Sequence, residues 1–283
     1  MGRTRLTQFS PDDIHSLSAS MKIGILGTVT PDGLPHLTMI STLKASSPSQ
    51  MAFGQFIEGR SKEYLHLNTR AGWLIMTLDK QLWRGKADFT HTAKHGVEYD
   101  FYNNTPLFRY NAYFGVHTVY YLDLIAHSGK APLPMQQVVM ASIQTTLART
   151  LGRSKASSKV LNPWTTGFLN KLNTLKFIGY VGEDGYPEVL PCIQAQAADD
   201  EYIRFAASVY REEIQRIPAG ATLAVFGLSL DMEDVLLRGR YEGLRRVAGV
   251  RCGSMQVDWV YNPMPPVPGQ IYPPLPLEPI TGF

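Results

Sequence analysis

The sequence predicts a mainly β fold with peripheral helices, arranged as one small barrel in each of two tandem halves. Three observations carry this expectation. First, Asp32-Gly33 sits between the apolar-alternating runs Gly24–Thr30 and Leu37–Leu43, the strongest short-range signal of a β-hairpin. Second, the pattern returns. Residues 25–40 read ILGTVTPDGLPHLTMI and residues 177–192 read FIGYVGEDGYPEVLPC, so an offset of 152 aligns Asp32 with Asp184, Gly27 with Gly179 and Val29 with Val181. Arg84-Gly85-Lys86 and Arg238-Gly239-Arg240 follow at an offset of 154. A period this long is a domain, since solenoid repeats run to about 20–50 residues. Third, helix signals are short and sit between the strand-like runs.

In chain order, Ser10 as N-cap, Pro11 at the first helical position and Asp12-Asp13 in the first turn open a short helix carrying Ile14 and Leu17. Strands are expected at Gln50–Phe56, Trp73–Leu78, Leu82–Thr90 and Ala112–Leu124, with short helices at Glu63–Asn68 and Val97–Asn103. Met135, Val138, Val139, Ser142, Ile143, Thr146 and Leu147 recur at helical spacing, closed by Gly152. The basic stretch Arg153–Lys159 reads as exposed. A helix is expected from Thr166 to Leu172. The hairpin Ile178–Val181 with Val189–Ala195 and strands at Tyr202–Ala206, Thr222–Leu228, Asp234–Gly239 and Val257–Tyr261 complete the second set. From Asn262 the chain is proline-rich. That excludes a central strand or a helix and predicts an extended arm. The expected divisions are 1–130, a helical linker 131–164, 165–261 and an arm 262–283.

Composition narrows the function. The 283 residues are 44% hydrophobic and 11% aromatic, which excludes a disordered chain. A net charge of +3, spread along the sequence, argues against a dedicated nucleic-acid binder. Cys192 and Cys252 cannot build a disulfide framework or a C-x-x-C zinc site. No apolar run reaches the ~18 residues of a membrane span, and MGRTRLTQFSPDD has no apolar leader core. The expectation is a soluble, cytoplasmic protein.

For chemistry, G-Q-F-I-E-G-R-S at 54–61 approaches the Walker A spacing, with Arg60 where lysine belongs. The antiparallel pattern and Glu58 speak against a nucleotide hydrolase. The local physics survives: Gly59, Arg60, Ser61 and Lys62 bring two cations, a hydroxyl and backbone amides to the mouth of a helix, which favours an anion. A solvated turn with ordinary surface charges is the alternative. All seven histidines precede residue 128. His91 and His95, four apart, have no nearby third ligand, so no metal site is expected. His36 reads as a strand-start residue, and His117, among Tyr113, Phe114, Tyr120 and Tyr121, as packing. No G-x-S-x-G or H-E-x-x-H occurs.

In their order, G-T-V-T-P-D-G-L-P-H, M-A-F-G…G-R-S-K-E-Y-L-H-L-N, W-L-I-M-T-L and L-W-R-G-K-A over residues 20–90 resemble the pyridoxamine-phosphate-oxidase-like FMN-binding split β-barrel family, and Tyr102–Leu124 looks like its closing strand. The resemblance implies two split barrels packed as an intrachain pseudo-dimer with flavin in the seam. Arg60, Ser61 and Lys62 match the family's phosphate-holding position. Ser41 and Thr42, with Met39 and Ile40, occupy the second strand that lies along the ring and ribityl; Gln55 and Gln81 are weaker matches. The arginine and lysine that the oxidases carry on that strand are missing, with Thr38 and Leu43 nearest, so the vitamin B6 substrate does not carry over. The second half lacks the Ser-Lys pair, reading Ala207–Glu213 instead, so one intact flavin site is expected. Trp259, Tyr210 or Arg211 would supply a wall, and Tyr110, Asn111 or Tyr113 would meet substrate. The implied function is an FMN-dependent oxidoreductase acting on a small molecule, with NAD(P)H as a candidate donor; a non-catalytic flavin or haem carrier or sensor is the alternative. FAD, a deazaflavin or haem are alternative cofactors, and association into a homodimer stays open.

Overall fold

Ser10 opens the first helix, α1 (Pro11–Leu17), by a reciprocal cap: its hydroxyl accepts from the Asp13 amide at 3.1 Å while the Asp13 carboxylate accepts from the Ser10 amide at 3.1 Å. The computed structural model from which this geometry comes describes residues 5–57, 59–106, 109, 115–152, 155–231, 233–263 and 268–276. After α1 come β1 (Lys22–Val29), β2 (Pro35–Met39), β3 (Lys44–Ser47), β4 (Gln50–Gln55), α2 (Arg60–Leu67), β5 (Arg70–Thr77), β6 (Gln81–Ala93), α3 (Val97–Asn103), β7 (Thr118–His127) and β8 (Ala131–Pro132). They form one sheet in the order β2-β1-β5-β6-β7-β4-β3, with β8 on β6; the pairings are antiparallel. Leu17, Leu26, Phe53, Trp73 and Trp83 fill its core. Trp83 Nε1 donates to Asp13 Oδ1 at 2.7 Å, tying α1 to the sheet.

The rest of the chain repeats this order. It comprises α4 (Met135–Leu151), α5 (Pro163–Asn170), β9 (Leu175–Val181), β10 (Pro187–Pro191), β11 (Gln196–Ala197), β12 (Tyr202–Ala206), α6 (Arg211–Gln215), β13 (Thr222–Leu228), β14 (Asp234–Val247), β15 (Val250–Asn262) and β16 (Gly269–Tyr272). Its sheet runs β10-β9-β13-β14-β15-β12-β11, the first order with every strand number raised by eight. Helices α5 and α6 stand where α1 and α2 stand. Among the described residues, neither α3 nor α4 has a counterpart in the other repeat.

The repetition extends to single hydrogen bonds. Gly33 N donates to Thr30 O at 2.9 Å and Thr30 N to Leu34 O at 2.8 Å; Gly185 N donates to Gly182 O at 2.9 Å and Gly182 N to Tyr186 O at 2.9 Å. Gly33 and Gly185 adopt φ of 77° and 78°, a left-handed conformation that glycine takes without a steric cost. Gly85 and Gly239 are alike too. A Cβ on either would collide with the carbonyl oxygen of the residue before its cross-strand partner, Ala126 and Gln256 respectively.

Several expectations shift in detail. Helix α5 begins at Pro163, not Thr166, because Asn162 caps it by accepting from Thr165 N at 2.8 Å. Strand β7 begins at Thr118, and residues 112–114 of the expected strand lie outside the described residues. Gly152 follows α4 in an extended conformation, φ −75° and ψ 138°. Residues 155–159 are exposed yet held. Glu201 accepts from Ser157 N at 2.7 Å, Ser158 N at 3.2 Å and Gln256 Nε2 at 2.6 Å, and these donors hold its carboxyl down to about 2. In the arm, Gly269–Tyr272 pairs with β15 as an added strand.

The chain divides into two compact units, Met1–Leu133 with Gly179–Leu190, and Pro134–Ile178 with Pro191–Phe283. The hairpin segment 179–190 thus belongs to the first unit. There Lys86 Nζ meets Asp184 and Glu188, each at 2.6 Å, and Tyr186 donates to Asp88 at 2.9 Å. Among the described residues, no helix is long and apolar enough to cross a membrane.

Candidate functional site

The site begins where β4 leaves the sheet. Gln55 ends the strand, half-buried, and its carbonyl accepts from His117 N at 2.8 Å. The chain then turns through Phe56 and Ile57 to Gly59, the N-cap of α2. Gly59 has no side chain to cap the helix, so the amides of its first turn depend on other acceptors. Arg60, the first helical residue, is exposed. Lys62 is half-buried, and its ammonium donates to Ile57 O at 2.9 Å, drawing the turn closed.

Ser61 is the notable member. It is fully buried, at 0% exposure, and its Oγ has no hydrogen-bond partner among the described residues. A hydroxyl buried in this way carries a desolvation cost of roughly 1–3 kcal/mol. Leu65, one turn on, is buried in the core, which fixes the helix face on which Ser61 lies. Glu63 in the first turn is the opposing charge; Glu58 lies outside the described residues.

The other sequence candidates are placed unevenly. Ser41 and Thr42 do not lie on the second strand, because β2 ends at Met39; both sit in the turn before β3, half-buried. The Thr42 hydroxyl is already engaged, donating to Gly54 O at 2.9 Å and accepting from Gly54 N at 3.1 Å. Gln55 lies beside the start of β7, level with the end of β6, since Gln55 pairs with Thr118 and Ala93 with Val119. Gln81 lies at the other end of β6, about 40 Å back along the strand at ~3.3 Å per residue, so the register does not bring the two glutamines together. Tyr110, Asn111 and Tyr113 lie outside the described residues.

Among the histidines, His36 is buried in β2 and meets Tyr64 edge-on at 5.2 Å. His91 lies on a strand, stacked on Tyr121 at 4.6 Å, and His95 follows that strand; the two share no helix face. His117 is exposed before β7 rather than packed in the core.

The equivalent stretch of the second repeat differs among the described residues. Helix α6 has five residues, begins after Tyr210 at φ 52° and carries Glu212 and Glu213 in its first turn. Ser208 Oγ, two residues before the N-cap Tyr210, donates to Gln144 Oε1 of α4 at 2.7 Å. Thr145 Oγ1 of the same helix accepts from Ala206 N at 2.8 Å. Trp259 lies under Arg238, 3.7 Å from its ring centroid.

Sequence reading missed the Thr42–Gly54 pair and the burial of Ser61. The first had a signal in the strand register, and the second had none beyond the i, i+4 relation of Ser61 to Leu65.

No protein-family model matches the chain, and no curated protein matches it. Among solved structures, it is similar to an FMN-binding protein from Syntrophomonas wolfei, at 13% identity over 43% of this chain and 86% of that one, with a TM-score of 0.35. It is similar to a protein from Lactobacillus delbrueckii assigned as a pyridoxamine 5'-phosphate oxidase, at 13% identity over 43% of this chain and 94% of that one, with a TM-score of 0.32. An F420 reductase matches at 16% identity over 42% of this chain and 98% of its own, with a TM-score of 0.35.

Proposed function

We propose that the chain binds one FMN through its first barrel, with the phosphate at the start of α2, and uses it as an oxidoreductase. The observation that carries this reading is the buried hydroxyl of Ser61 in the first turn of that helix, without a hydrogen-bond partner among the described residues. A phosphate fits the donors present. Ser61 Oγ and the first-turn amides would bind its oxygens, Arg60 would add a charged fork from the exposed side, and Lys62 would turn from the Ile57 carbonyl to the anion. The flavin ring, when bound, supplies hydride and electron transfer. The residues of the chain hold, orient and shield it. Gln55, at the end of β4, and Ser41, in the turn before β3, would meet the ribityl chain.

The reading of one site per chain is supported by the second repeat, where the short α6 carries two first-turn acids and Ser208 is engaged by Gln144. The substrate is a small molecule, and NAD(P)H is the proposed electron donor. The visible spectrum of the purified protein after incubation with FMN tests the reading. Retained flavin bands that bleach with NAD(P)H and return with turnover support it. Retained flavin that never turns over with NAD(P)H or another donor makes the protein a carrier or sensor. A protein that stays colourless after incubation contradicts the proposal.

A further inference from the structure

The turn that carries Ser61 has to be held in place from behind, and the register shows how. Strands β3 and β4 pair at Lys44 and Ala52. The next pair in that ladder would be Thr42 with Gly54, but at Thr42 the backbone has already left the sheet for a turn. The Thr42 side chain continues the ladder instead: one hydroxyl donates to Gly54 O at 2.9 Å and accepts from Gly54 N at 3.1 Å. Behind it, the Tyr102 hydroxyl of α3 donates to Thr42 O at 3.0 Å. Gly54 is wedged from the other side, where a Cβ would meet the Val116 methyls at 2.7 and 2.8 Å and the Tyr102 ring at 3.3 Å. Val116 is fixed in turn by Asn103, which accepts from its amide at 2.9 Å and donates to its carbonyl at 3.0 Å.

We propose that Thr42, backed by Tyr102, is a positioning residue for the anion-holding turn: it fixes Gly54, and through it the segment that presents Ser61 and the α2 amides, without touching the ligand. The inference rests on the flavin reading above and deepens it. The second repeat supplies a contrast. In the same register Gln194 Nε2 donates to Ala206 O at 3.1 Å, but the Ala206 amide is taken by Thr145 of α4. Only in the first repeat does one hydroxyl clamp both backbone groups at the strand end, and there the turn leads into the eight-residue α2 with its buried serine.

Equilibrium titration of FMN and of riboflavin against the full chain tests this, because riboflavin lacks the phosphate. Wild type, Thr42→Ser, Thr42→Val and Tyr102→Phe are compared. Thr42→Val, isosteric but unable to hydrogen-bond, is expected to raise the FMN dissociation constant about tenfold or more and the riboflavin constant less than about threefold. Thr42→Ser keeps the hydroxyl and is expected to stay within about threefold of wild type for both. Tyr102→Phe removes one oxygen, keeps the ring and is expected to weaken FMN selectively; it carries the test if the valine variant does not fold. An FMN loss below threefold, or equal losses for FMN and riboflavin, overturns the inference alone. A wild type that binds neither flavin overturns the flavin reading and this inference with it.

Discussion

Replacing Arg60 and Lys62 together with alanine is expected to raise the FMN dissociation constant at least ~100-fold and leave the fold intact. Each charge-assisted contact is worth about 1.5–3 kcal/mol, and every 1.4 kcal/mol is about tenfold in affinity. Lys62 contributes at the lower end of that range, because its ammonium already rests on the Ile57 carbonyl and must leave it. Arg60 is exposed, so its fork reaches the anion from the solvent side. Alanine favours helices, so α2 survives the change, and a thermal melt should show it. Arg211→Ala, at the start of the short α6, should change FMN affinity far less. Unchanged affinity in the double variant would remove the phosphate site from α2.

The second large effect concerns the repeat itself. Gly85→Ala and Gly239→Ala are each expected to destabilise the protein by about 3 kcal/mol, the upper end of what overpacking costs. The new methyl would meet a backbone carbonyl on the neighbouring strand in both cases, Ala126 in the first sheet and Gln256 in the second. A carbonyl in a β-ladder cannot turn aside as a flexible side chain can. Gly167→Ala is the control. It lies within α5 with nothing within 4 Å of the added carbon, so it should stabilise by about 0.5–1 kcal/mol. Denaturant unfolding of the three variants settles the comparison. A cost at Gly85 or Gly239 no larger than at Gly167 would mean that the close approach is not a shared constraint of the two sheets.

Much of the fold was legible because its signals are local. The D-G-x-P turns fix their own geometry through a left-handed glycine. The expected helix at Val97–Asn103 matches α3, and Ser10-Pro11 marks α1. The start of α5 was missed although Asn162-Pro163 carries the same cap-and-proline signal, because the apolar spacing from Phe168 drew the boundary too late. The site was legible only in its charges. Arg60-Ser61-Lys62 reads in sequence either as an anion turn or as a solvated turn with ordinary charges, whereas the burial of Ser61 depends on how α2 settles on the core. Gln55 and Gln81 are both weaker matches of the resemblance, and the 13-residue β6 separates them. Thr42 falls where the resemblance places the strand along the ring and ribityl; its engagement with Gly54 appears only once strands β3 and β4 are set in register.

The claim on which the account turns is that two like barrels share one chain and only the first keeps an anion cradle. Titrating the full-length protein with FMN while following flavin absorbance and protein concentration together tests it most directly. The account predicts saturation at one flavin per chain, with that binding abolished or sharply weakened in the Arg60→Ala, Lys62→Ala double variant. Saturation at two flavins per chain, or one flavin that the double variant binds as tightly as wild type, would contradict it.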